Sequence, residues 1–207
     1  MTRRAAVGLA AIVAAVAASL IAFAVVPILM HGISARDRPT RTEELIARRM
    51  RHYAIPRSAK RMANPVPLSA EVTASALAHF ADHCATCHAN DGSGSTEIGK
   101  GLYPKPPDMR QSQTQSLTDG EIFYIIHNGI RLTGMPAFGE PRADEADQDS
   151  WKLVHFIRRL PAITPDELEQ MKEMNPKSPA ELKEEEALER FLRGDDSQPP
   201  ETEHKHH

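Results

Sequence analysis

The sequence predicts an all-α protein in which one long apolar helix precedes a small helical domain. Three observations carry this prediction. Residues 5–30 contain no charged side chain. Further along, apolar residues recur at helical spacing behind Ser and Thr capping positions, and strand-like alternation is scarce. The chain also has only two cysteines, both within Cys84-Ala85-Thr86-Cys87-His88, so no disulfide framework sets the fold.

The apolar run comes first. At 1.5 Å rise per residue, about twenty helical residues cross a hydrocarbon core of about 30 Å, and this run exceeds that length. A membrane anchor over 1–30 is the expectation. The competing reading is a cleaved leader, for which Ala22-Phe23-Ala24 offers a site, but the apolar run continues past it. Either reading exports the remainder. Five arginines between His31 and Met50, against Arg3 and Arg4 before the run, argue for the opposite orientation.

Charge is segregated along the chain. Residues 31–68 carry nine Arg/Lys against three Asp/Glu, and residues 162–207 carry six against thirteen. The first of these stretches is read as a basic juxtamembrane tether suited to anionic lipid, lying along the membrane or the domain, with a short helix at about Thr42 to Tyr53. No nucleic-acid partner is expected. What remains for a compact core is a domain at 69–161, small enough that a large apolar cofactor would supply core the side chains lack.

Cys84-Ala85-Thr86-Cys87-His88 is the C-x-x-C-H pattern of covalent haem attachment. At the end of a helix, cysteines three apart share a face and can meet the two vinyl groups along one haem edge. The adjacent His then turns its imidazole onto the iron. Ser69 to His83 reads as that helix, with Ser69 as cap and Val72, Ala76, Leu77 and Phe80 at helical spacing. A thioredoxin-like pair would need a βαβ setting, and a zinc site two more distant ligands.

From about Ser69 to Leu160 the order of parts resembles a class I c-type cytochrome: a helix, the CATCH motif, a Gly/Pro-rich loop, a second helix, a Met-bearing loop and a closing helix. The resemblance implies one covalent haem c, a cytochrome c-like fold, and attachment on the outer side of the membrane. That chemical requirement outweighs the arginine bias. It also implies that a proline carbonyl in the loop accepts from the proximal His88. Pro107 matches best, with Pro106 the alternative. Gly134-Met135-Pro136 matches the family's sixth-ligand loop, which makes Met135 the distal ligand. Met109 and His127 are its rivals.

The second helix opens with a capping box, Thr118 to Glu121, and stops at Asn128-Gly129. Its face of Ile122, Phe123, Ile125 and Ile126 is expected against the haem or the first helix. In the closing helix, Trp151 to Leu160, Trp151 is a candidate for a haem propionate or for plain core, and Arg158 and Arg131 are candidate propionate counter-ions. An acidic helical arm follows at 162–194, with capping boxes at Thr164 and Ser178. The tail 195–207 lacks periodicity and is expected to be disordered. It ends His204-Lys205-His206-His207, a candidate Cu(II) or Ni(II) site.

His88 and Met135 would fill both axial positions of the iron, which favours electron transfer over substrate chemistry. The expected function is a single-electron carrier, not an enzyme, held by one helix at a bacterial cytoplasmic membrane with its haem domain outside. Its expected partners are redox proteins of unspecified identity and the lipid bilayer. The alternatives are a haem-based redox or metal sensor and a haem subunit of a larger respiratory complex.

Overall fold

The computed structural model describes residues 3–139, 147–177 and 179–194, which are helical and without strands. Helix α1 (Arg3–His31) is 29 residues long, and its Arg3–Phe23 stretch is long and apolar enough to cross a membrane. Helix α2 (Arg41–Ala54) starts one residue earlier than expected because Thr40 and Glu43 close a reciprocal capping box. The short α3 (Arg57–Lys60) follows.

The domain is built on α4 (Ala70–His79), which runs through a wide π-helical turn at Phe80–Cys84 into α5 (Ala85–His88). Ser69 caps α4 through the Val72 amide at 3.2 Å. Two short helices, α6 (Glu97–Gly101) and α7 (Ser112–Gln115), lie in the connection to α8 (Asp119–Asn128). The Thr118–Glu121 capping box is present at 2.9 and 3.2 Å. Gly129, at φ 65°, ends α8 in a backbone conformation that side chains resist.

Helix α9 (Gln148–Arg159) closes the domain, capped by Asp147 through the Ser150 amide at 3.0 Å. It packs on α4 and α8. Phe80 and Phe156 meet at 4.8 Å between ring centroids, and Phe123 stacks on Trp151 at 4.1 Å with planes 12° apart. These four rings are at most 4% exposed, and truncating any one to Ala should cost about 3–5 kcal/mol.

Helix α10 (Pro165–Met174) forms its Thr164–Glu167 capping box and returns to the domain, with Met171 fully buried beside α4 and the π turn. Helix α11 (Pro179–Leu192) has no buried residue. Ser178 and the tail histidines His204, His206 and His207 lie outside the described residues.

The segment ahead of α4 is fastened to the domain. Asn64 donates to the Trp151 carbonyl at 2.9 Å, and His155 Nε2 lies 2.8 Å from the Val66 carbonyl. Helix α3 presses on the start of α8 so closely that a Cβ on Gly120 would sit 1.9 Å from the Ala59 carbonyl oxygen. Between α5 and α7, Arg110 grips Asp108 with two hydrogen bonds and reaches Asp91 at 2.8 Å. The hydrogen bonds from Arg110 hold the Asp108 carboxyl down at about 2.

Two expectations follow from this packing. Gly→Ala in a helix ordinarily stabilises by about 1 kcal/mol, but the Ala59 overlap should reverse the sign, so that Gly120→Ala costs about 1–3 kcal/mol in chemical denaturation. Asp108 binds its proton more weakly folded than unfolded. Its contribution is therefore complete above its ordinary carboxylate range and lost as pH falls toward about 2. Asp108→Asn should accordingly lower the melting temperature at neutral pH, and the gap to the parent protein should close on acidification.

Candidate haem site

The rod that runs from α4 through the π turn into α5 carries the attachment side of the site. Phe80, Cys84, Cys87 and His88 recur at i, i+4, i+7 and i+8, on one face of the continuous helical rod, and all line one cavity of about 500 Å³. Chemistry and wall are adjacent here. Cys84 and Cys87 are free thiols, half-buried, and burial pushes the Cys84 thiol up to about 12, with Cys87 adding to the effect. Burial holds the His88 imidazole down at about 4. At ordinary pH His88 is thus neutral, with a nitrogen lone pair for a metal.

The facing wall comes from α8 and the loop after it. Ile122, Ile125 and Ile126 line the cavity, whereas Phe123 turns away to Trp151. Met135 lines it too, from a loop fixed at both ends. Its carbonyl accepts from the Ile130 amide at 3.1 Å, and its amide donates to Thr133 Oγ1 at 3.1 Å. Thr133 Oγ1 donates in turn to the Ile130 carbonyl at 2.7 Å. A Cβ on Gly129 would fall 2.6 Å from the Pro136 backbone, so glycine is needed there for the chain to double back.

Of the other candidates, Met109 is buried and also lines the cavity. His127 is elsewhere: it is buried against Asp147, with Nδ1 2.9 Å from Oδ2, and stacks on Phe123. Burial favours protonation of Asp147, but hydrogen bonds from Ser150 and His127 hold its carboxyl below the usual range. Trp151 is core. Arg158 is committed to Asp119 at 2.9 Å and to the Gln115 and Leu117 carbonyls, and Arg131 is exposed away from the cavity.

Pro104, Pro106 and Pro107 all line the cavity, yet His88 Nδ1 is buried without a hydrogen-bond partner. The Pro106 carbonyl crowds Gly94 instead, 2.6 Å from where a Cβ would be. Arg38, Arg48 and Arg51, which by sequence belong to the basic tether, line the cavity from α2 and the turn before it. Their signal was the basic composition of α2 at spacing i, i+3. What hid them was the weak apolar stripe, because α2 turns a charged face to the domain.

A porphyrin fits these residues. Two unpaired thiols three residues apart, a neutral imidazole with an orphaned buried nitrogen and a largely apolar cavity are what covalent haem attachment requires. Among the described residues, no group of three or more His, Cys, Asp or Glu is placed to hold a metal ion, so a zinc reading of the cysteine pair finds no further ligands there.

No curated protein matches the chain. A family model does: residues 71–157 match Cytochrome C oxidase, cbb3-type, subunit III. That span contains α4 to α9 almost entire, with Cys84, Cys87, His88 and Met135 inside it. Residues 71–157 are a c-type cytochrome domain, carried behind a helix apolar enough to span a membrane.

Proposed function

We propose that this protein is a single-electron carrier with one covalently attached haem c, ligated by His88 and Met135, on the outer face of a bacterial cytoplasmic membrane. The observation that supports it most is that both side chains, 47 residues apart in sequence, line the cavity beside Cys84 and Cys87. Bound haem supplies an iron that cycles between ferric and ferrous. Everything else falls to the chain.

Cys84 and Cys87 fix the ring by thioether bonds. His88, kept neutral by burial, offers its lone pair without a competing proton. The Thr133 and Ile130 hydrogen bonds hold the backbone of Met135, so its thioether can return to the same place in both redox states. Ile122, Ile125 and Ile126 make the facing wall apolar. In the loaded protein we assign the Pro107 carbonyl as acceptor for His88 Nδ1, which would orient the imidazole and raise its basicity. His88 and Met135 together would leave the iron no open coordination position for a substrate, so the protein would move electrons without making or breaking substrate bonds.

A second reading draws on the matched family, whose description is that of an oxidase subunit. The carrier would then work inside a respiratory complex. Native electrophoresis of mild-detergent extracts, stained for haem, separates the two: migration at the size of this chain alone supports the free carrier, and migration in a large assembly supports the subunit.

The ligand assignment has a direct test. Met135→Ala should leave the haem covalently bound, convert the low-spin spectrum to one that responds to carbon monoxide, and lower the midpoint potential, because methionine ligation raises it. A parent protein that already binds carbon monoxide readily would refute six-coordination. For orientation, protease added to intact spheroplasts should remove the haem-staining domain, and protection until the membrane is opened would place it inside.

A further inference from the structure

Helix α2 joins the apolar anchor to the domain and lies outside the matched family segment, yet it forms part of the cavity wall. The charge it brings is lopsided. The cavity is lined by four cationic side chains, Arg38, Arg48, Arg51 and Lys105, against one carboxylate, Glu44. Two of these have other work. Lys105 donates to the Ala35 carbonyl at 2.7 Å and to the Lys100 carbonyl. Arg48 pairs with Glu44 at 2.9 Å and, with the Gln113 amide turned to satisfy both groups, donates to its oxygen.

Arg51 is different. It is partly buried, makes no hydrogen bond or ion pair through its guanidinium among the described residues, and sits close enough to Arg48 to feel its charge. Burial and Arg48 both disfavour its charged form, and Glu121 only partly offsets them. An arginine desolvated beside a second arginine is costly unless an anion joins them. The group that Cys84, Cys87 and His88 fit carries two carboxylates, its propionates. Guanidinium forks match carboxylates in plane and spacing.

Resting on the haem reading above, we propose that Arg51 binds a haem propionate, with Arg48 and Arg38 beside it on the cavity wall adding positive charge, so that the membrane-linked helix is a working wall of the cofactor site. Arg158 and Arg131, which the sequence suggested for this role, are engaged or positioned elsewhere. Fixed positive charge beside the propionates disfavours the ferric state, and so holds the potential up. Partial burial of Arg51 weakens the screening of its field by salt, whereas Arg38 and Arg48 are exposed.

The test uses the full chain, haem-loaded, in detergent micelles, with the midpoint potential read by optical redox titration at low and high salt. Arg51→Gln should lower the potential, more so together with Arg48→Gln, and the Arg51→Gln shift should persist at high salt. Arg49→Gln is the control: it removes the same charge from the same helix, but Arg49 does not line the cavity. Its smaller shift should vanish at high salt. Arg51→Lys, which keeps the charge, should stay near the parent value. The proposal is overturned if Arg51→Gln shifts no more than Arg49→Gln, or if Arg51→Lys shifts as far as Arg51→Gln. Absence of covalent haem from the parent protein, seen by haem staining after denaturation, would instead bring down the haem reading itself.

Discussion

The rest of the structure depends on a cavity that the protein's own side chains do not fill. About 500 Å³ lies between α2, the π turn, α8 and the Met135 loop. In an ordinary small domain such a void would cost packing energy that its few core residues could not offset. Here the helices are spaced to leave it. The rings that do pack, Phe80 on Phe156 and Phe123 on Trp151, stiffen the frame behind the cavity, and the isoleucines of α8 face into it.

Two sorts of local geometry then aim the functional groups. On the attachment side a continuous helical rod presents Cys84 and His88, four residues apart, on its cavity face. On the opposite side there is no helix, and the backbone is held by hydrogen bonds among Ile130, Thr133 and Met135. The first device is rigid through its neighbours and the second through its own short loop. His127 and Asp147 tie the end of α8 to the start of α9, so the Met-bearing loop leaves and rejoins the frame at fixed points.

Much of this was legible in the sequence, for reasons that differ by residue. Capping boxes at Thr118 and Thr164 announced helix starts because the chemistry is local and reciprocal. The C-x-x-C-H run was legible because its spacing has a mechanical meaning. Asn128-Gly129 marked the end of α8, and Gly134 and Pro136 marked Met135 as a loop residue, though not how that loop doubles back on Gly129. The π turn had no sequence signal, since Phe80 and Ala81 fit an ordinary helix equally well. The fates of Trp151, Arg158 and His127 depend on contacts far along the chain, such as Arg158 with Asp119, which periodicity cannot register. Basic residues on α2 read as a lipid-facing tether because composition does not say which face of a helix meets the protein.

That same helix limits how far the domain can stray. The Lys105 ammonium ties the Ala35 carbonyl to the loop at the cavity, and α2 begins at Arg41. Only residues 32–34 separate the end of α1 from this tie, a leash of about 10 Å when fully extended. With α1 in a bilayer, the cofactor cavity would be confined to a thin layer at the lipid surface. Encounters with other membrane-bound proteins then take place in two dimensions at high effective concentration, while a freely dissolved partner must come down to the surface to exchange an electron.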